Sequence, residues 1–141
     1  FVLGATNLPW DVDTALKRPG RFDRSIFVTP PDEPARRRIL ELAMRGRPAG
    51  DLDLARIAKQ TTGYSGADIA HVCDTAVESA LARAMKSGRM EQVDDKDLKA
   101  ALREVRPSIG KWFQAAKNYA MFANTSGEFN DLAEYITTHR L

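Results

Sequence analysis

The pattern of apolar and polar positions changes at about residue 31. Phe1-Val2-Leu3 is a short apolar run ended by Gly4 and the polar Thr6-Asn7; Ser25-Ile26-Phe27-Val28-Thr29 is a second, ended by Pro30-Pro31. Apolar runs this short, bounded by turn residues, predict buried strands. Between them Asp11 to Arg24 is polar and broken by Pro19-Gly20, which gives the rhythm of a βαβ unit in a parallel sheet. From Asp32 onward the period is helical. Asp32-Glu33-Pro34 opens a helix carrying Ile39, Leu42 and Ala43, which runs until Gly46 and Pro48. Asp51 is placed to cap a second helix with Leu54, Ile57 and Ala58 on one face, and Gly63 stands where a C-terminal glycine belongs. Ser65 with Asp68 predicts a capping box for a third helix, and Tyr64 with Ile69 a hydrophobic staple. Its apolar residues run from Ile69 through Val72, Cys73, Ala76, Val77, Ala80 and Leu81 to Ala84, with a stop at Gly88. Asp94 and Asp97 open a fourth helix carrying Leu98, Ala101, Leu102 and Val105, stopped by Pro107. Residues 32–106 therefore read as a four-helix unit.

Residues 107–141 differ again. They hold six of the eleven aromatic residues, and their charges balance, with Lys111, Lys117 and Arg140 against Glu128, Asp131 and Glu134. Ser108 is placed to cap a helix with Ile109, Trp112, Phe113, Ala116 and Ala120 on its apolar face. A break at Asn124 to Gly127 precedes a short amphipathic helix carrying Phe129, Leu132, Ala133 and Ile136. Aromatics at this spacing are usually buried, so packing within the chain is the favoured role of this tail.

Composition narrows the functional classes. Of 141 residues, 21 are Lys or Arg and 19 Asp or Glu, a net charge of +2, which excludes a polybasic nucleic-acid binder and argues against nucleic-acid remodelling. Nine glycines and seven prolines exclude collagen-like and low-complexity classes. A single cysteine, Cys73, can form no internal disulfide and points to a reducing, cytoplasmic setting. No apolar run is long enough to span a membrane. Phe1 opens inside a strand-like run without a start methionine, which predicts a piece of a longer protein.

Few residues suggest chemistry. No G-x-x-x-x-G-K-[ST] phosphate loop, G-x-S-x-G or H-E-x-x-H occurs. His71 and His139 have no metal-ligand spacing, so no metal site is expected. Cys73, on an apolar helix face, reads as a core thiol rather than a reactive one. Asn124-Thr125-Ser126 fits a glycosylation sequon that a cytoplasmic chain leaves idle. Arg36-Arg37-Arg38 reads as a solvated helix face, with nucleic-acid contact the second reading. Asn7, just past a strand end, is placed either as a plain turn residue or as an amide able to hold a water or phosphate oxygen. Arg18 and Arg21 flank the stiff Pro19-Gly20 turn. They suit bidentate contact with phosphate or carboxylate, the alternative being surface solvation with Asp23 as a local partner.

Four segments occur in order: Phe1 to Pro9, Arg18-Pro19-Gly20-Arg21-Phe22-Asp23, Pro31-Asp32-Glu33, and Gly63-Tyr64-Ser65-Gly66-Ala67-Asp68-Ile69. Together they resemble the second half of an AAA ATPase module. Trp10 and Val105-Arg106-Pro107-Ser108 are most similar to the group containing katanin and spastin. The resemblance implies a mainly α chain: residues 1–31 as the remnant of an α/β nucleotide-binding subdomain with two short strands, 32–106 as a small helical lid and 107–141 as a helical tail. It implies that Asn7 is the sensor-1 residue that positions the attacking water. Arg18 and Arg21 are then the two arginine fingers that reach a neighbouring subunit's nucleotide. Gly66 and Ala67 are the sensor-2 backbone packed near that chain's own nucleotide. Ala43 stands about where many relatives place a histidine near the ribose, a departure affecting adenosine contacts.

The resemblance further implies ATP and Mg2+ as cofactors, a ring of identical subunits, commonly six, and a protein substrate that the sequence does not name. In the family the phosphate loop, the Mg-binding acids and the pore loops precede the sensor-1 strand. The 141-residue chain alone is therefore expected not to hydrolyse ATP. The family's strand order also puts the phosphate-loop strand between the two apolar runs. Residues 1–30 are then expected to be mobile, mispaired or swapped between chains when studied alone. The alternative function is a non-catalytic helical module for protein interaction or assembly.

Overall fold

The structure, a computed structural model, describes residues 1–125 and 127–139; Ser126 of the sequon and Arg140 of the tail lie outside the described residues. The chain divides into two compact units, Pro30–Lys111 and Phe1–Thr29 with the chain from Trp112 onward.

The first unit holds four helices, α1 (Glu33–Met44), α2 (Leu54–Gln60), α3 (Gly66–Ser87) and α4 (Asp95–Glu104), followed by the first turn of α5 (Ile109–Phe122). Each helix starts at an aspartate or serine. Asp32 Oδ1 accepts the Ala35 amide at 2.8 Å, and Pro34 fits the first turn, where its missing N–H costs nothing. The second helix is capped by Asp53, not by Asp51: Asp53 Oδ1 accepts from the Arg56 amide at 3.0 Å. This later start leaves Leu52 in the preceding turn, where it packs on the core. At α3, Ser65 Oγ accepts the Asp68 amide while Asp68 accepts the Ser65 amide; Asp94 and Asp97 form the same reciprocal box at α4. Helix α3 ends at Gly88, whose φ of 69° is a left-handed value that glycine adopts without a Cβ clash. Gly63 has φ 81° but lies beyond the end of α2, in the turn leading to Tyr64.

The long α3 is central, packing against both α1 and α4. Ile69, Val72, Cys73 and Ala76 are fully buried, meeting Leu40 from α1, Ile57 and Ala58 from α2, and Leu98 from α4. Burial pushes the Cys73 thiol up to about 11, so it stays protonated, in keeping with a core role. The loops close the far end of the bundle. Ala49 and Val93 form a parallel bridge, with Val93 donating to Pro48 O at 2.9 Å and accepting from Gly50 at 3.0 Å.

Two arginines depart from a simple solvated face. Arg36 is 7% exposed and turned inward, donating to the carbonyls of Ala58 and Pro31 and to Thr61 Oγ1. It joins the Thr61 amide and hydroxyl on the Ala58 carbonyl at the end of α2, and reaches back to the Pro31 carbonyl ahead of α1. Arg37 and Arg38 remain exposed and pair with Glu41. Arg83 grips the buried Asp97 with both guanidinium nitrogens and also donates to Gln92 O.

The second unit contains a short 3-10 turn (Pro9–Asp11), most of α5, and α6 (Asn130–His139). The two apolar runs do not become strands. Phe1, Val2, Leu3, Ile26 and Val28 are exposed, and among the described residues the Ala49–Val93 bridge is the one β pairing. A strand needs a neighbour to take its amides and carbonyls, and neither run has one here. This unit is held instead by aromatic rings. Trp10 stacks on Tyr119 with centroids 4.5 Å apart, and Phe27 packs edge-on to Tyr135 at 5.5 Å. Trp112 lies between, 5.9 Å from Trp10 and 6.3 Å from Phe27. Lys17 adds an ion pair to Glu128 at 2.8 Å and lies over the Phe129 ring.

Burial raises the Asp97 pKa, but hydrogen bonding to Arg83 and the Asp94 amide outweighs it and leaves the carboxyl below its ordinary value. A depressed folded-state pKa stabilises the protein fully above the unfolded value, about 3.9, and less as pH falls through the folded one. Asp97→Asn is predicted to lose about 1–3 kcal/mol at neutral pH. It is also predicted to flatten the loss of stability below about pH 4. Urea unfolding at pH 7 and at pH 3 measures both.

Candidate functional site

The residues singled out in the sequence fall into two groups, one in each unit. Gly66 and Ala67 are the first two residues of α3. The capping box occupies the amides on either side, those of Ser65 and Asp68. First-turn amides have no partner within their own helix and point along its axis, where they favour an anion. Gly66 is tight but not crowded: a Cβ there would meet Ile39 Cδ1 at 3.8 Å, an ordinary contact.

Asp68 does more than cap. Its Oδ2 accepts from the Ser65 amide at 2.8 Å, the Ser108 amide at 3.0 Å and the Ser108 hydroxyl at 2.8 Å. Partial burial pushes the carboxyl up, but these donors win and hold it below its usual value. Tyr64 Oη donates to Val105 O at 2.7 Å, and Pro107 Cβ lies 4.0 Å from where a Cβ on Gly63 would stand. The segment Tyr64 to Asp68 therefore grips Val105 to Ser108 at two points, Tyr64 on Val105 and Asp68 on Ser108. Both segments carry the family resemblance, but the grip between them was not legible, because nothing in either spacing shows that they touch.

In the other unit, Asn7 is exposed, and its carbonyl accepts Trp112 Nε1–H at 2.5 Å. The Asn7 amide side chain is thus presented next to a backbone anchored on a packed indole. Arg18 and Arg21 are exposed on a loop that folds on itself. The Arg21 amide donates to Arg18 O at 3.1 Å, Phe22 N to Leu16 O at 3.0 Å, and Gly20 N to Asp23 Oδ2 at 3.2 Å. Arg21 Nη1 donates to Ala15 O at 2.8 Å. The turn is thus held by backbone bonds on both sides of Pro19-Gly20, with Gly20 at φ 81°. Asp23 pairs with the Gly20 amide rather than with either arginine in the described contacts.

His71 is exposed, and His139 stacks on Tyr135 at 4.0 Å. Among the described residues no group of three or more His, Cys, Asp or Glu could hold a metal, and no helix is long and apolar enough to cross a membrane.

Residues 51–100 match the model of the AAA+ lid domain. The chain belongs to the AAA+ family. It is 40% identical over 124 residues to meiotic spindle formation protein mei-1 of Caenorhabditis elegans, a match covering 78% of this chain and 26% of mei-1. It is 40% identical over 121 residues to the cell division cycle protein 48 homolog of Archaeoglobus fulgidus, covering 78% of this chain and 16% of that protein. A solved structure described as "Structural Basis for Katanin Self-Assembly" superimposes with a TM-score of 0.67 at 37% identity, over 79% of this chain and 46% of that one. The chain thus spans about a quarter or less of these two curated relatives. The mainly helical architecture expected from the AAA+ resemblance is what the structure contains. Gly66 and Ala67 fall inside the matched lid span; Asn7, Arg18 and Arg21 fall outside it.

If the ring stack holds the arginine-bearing loop, Trp10→Ala will release it. Trypsin is then predicted to cut after Arg21 or Arg24 several-fold faster than in the unsubstituted chain, at a rate tracking the opened population. Bonds inside α3 should stay protected. Equal cutting rates at the loop would show that the stack does not restrain it.

Proposed function

We propose that this chain is the lid-bearing part of an ATP-hydrolysing AAA+ motor that remodels protein and works as a ring of identical subunits. The observation that carries this reading is the helical unit whose residues 51–100 match the AAA+ lid domain, accompanied by the ordered upstream motifs at Asn7 and Arg18 to Asp23. In this reading residues 1–31 belong to the nucleotide-binding subdomain, 32–106 to the lid and 107–141 to the tail. The chain works in the cytoplasm.

Gly66 and Ala67 bring the first-turn amides of a 22-residue helix toward the nucleotide. Such donors fit a phosphate-bearing ligand, because they supply N–H groups and a favourable dipole without desolvating a charged side chain. Asn7 orients the attacking water through its side-chain amide. Arg18 and Arg21 act on the neighbouring subunit's nucleotide. A guanidinium fixed beside the transferring group stabilises charge as it spreads over the phosphoryl oxygens, and its ordering is complete before the reaction begins. The tight Pro19-Gly20 turn supports this role, since it removes much of the freedom that would otherwise be lost at the transition state. When bound, ATP supplies the phosphoryl group and Mg2+ neutralises its oxygens. The chain's own residues offer no acidic cluster for the metal among those described. The 141-residue chain alone does not turn over ATP in this reading, for want of a phosphate loop.

Arg21→Ala in the full-length protein is expected to lower turnover by about 10³–10⁵, the range for removing such an arginine. Binding of ATP should be unchanged. Steady-state kinetics with a fluorescent-nucleotide binding assay separates the two effects. Unchanged turnover rules out the finger role and favours the non-catalytic assembly module.

A further inference from the structure

The grip between Tyr64–Asp68 and Val105–Ser108 joins the proposed nucleotide-facing turn to the linker that leads into α5. Asp68 is its centre. A single carboxylate oxygen accepts three hydrogen bonds, one from the α3 cap and two from Ser108, forty residues on. A cap alone needs only the reciprocal bonds with Ser65, so the two from Ser108 serve something else. Tyr64 and Val105 are both buried, and the Tyr64 hydroxyl is bonded to the Val105 carbonyl. The linker is therefore fixed at its inner end by a buried phenol and at its outer end by an exposed serine on a carboxylate. Between these points Pro107 removes one backbone donor and one rotational freedom. The segment is short and held at both ends, so it moves with the start of α3 or not at all.

We propose that Asp68 and Ser108 form a latch that passes nucleotide-dependent movement of the Gly66–Ala67 turn to the start of α5. This rests on the reading that Gly66 and Ala67 meet the nucleotide. Asp68 is a positioning residue: it touches no reacting atom, and acts by keeping the linker attached to the turn that does meet nucleotide. Asparagine in its place keeps the shape but loses the charge that strengthens three hydrogen bonds at once. Alanine at Ser108 removes the hydroxyl bond and leaves the α3 capping box intact.

The test is hydrogen exchange read at single amides. In the 141-residue chain, Asp68→Asn is expected to lower protection of the Ser108 amide by about tenfold, the size of one charge-assisted hydrogen bond. Val72 and Leu98 amides should keep theirs, which shows that the lid is still folded. Unchanged protection at Ser108 overturns the latch. In the full-length protein, a non-hydrolysable ATP analogue is expected to slow exchange at residues 64–68 in wild type, Asp68→Asn and Ser108→Ala alike. At 108–112 it should slow exchange in wild type only. An equal response at 108–112 in both variants overturns the transmission. A wild type whose residues 64–68 ignore nucleotide overturns the nucleotide reading itself, and with it the transmission, whatever the Ser108 amide does in the shorter chain.

Discussion

The buried face of α3 places α1 and α4, and α1 in turn carries α2. Ile69, Val72, Cys73, Ala76 and Ala80 form one stripe, and α1 and α4 both lie against this helix. Each large aliphatic side chain removed from water contributes about 1.5–3 kcal/mol. The stripe is the reason a 22-residue helix forms with its start fixed to the residue. A shift of one position would turn the stripe about 100° out of the core. The Ser65–Asp68 box therefore settles where Gly66 and Ala67 present their amides, and the core settles where the box sits.

The two capping boxes share a design. At α3 and at α4 the third residue of the helix is an aspartate that closes its own cap and also accepts a distant partner, Ser108 for Asp68 and Arg83 for Asp97. Both carboxyls are held below their ordinary pKa against an opposing push from burial. A group that serves a helix end and a tertiary contact together makes local and global order depend on each other. The Arg83–Asp97 pair ties the end of α3 to the start of α4. The Asp68–Ser108 pair ties the start of α3 to the chain leaving the lid.

The lid was largely legible because its helices carry their signals locally. Periodicity gave the four apolar faces, and Ser65, Asp94, Asp32 and Gly88 marked boundaries that depend only on residues within one turn. The second cap is Asp53 rather than the expected Asp51, and Leu52 between them packs on the core, a contact that is not local. Arg36 reads as a solvated residue because its two neighbours are; the Ala58 carbonyl that turns it inward lies 22 residues on, beyond any local pattern. The Ala49–Val93 bridge was hidden for the same reason. At the N-terminus the residues are strand-like, but strand character is only realised by a neighbour. The aromatics of the tail supply the packing there instead. Of the candidate site, the residue types and their order were legible, whereas the carbonyl of Asn7 on Trp112 and the latch on Asp68 appear only in three dimensions.

Whether this lid serves a nucleotide-driven motor is read most directly from the in-frame coding sequence upstream of Phe1. A motor requires a G-x-x-x-x-G-K-[ST] loop there, followed by an apolar strand ending in Asp-Glu that leads toward Phe1. Those residues would cradle the phosphates and hold Mg2+. A natural start codon close to Phe1 would contradict the motor and leave the helical unit as a binding module.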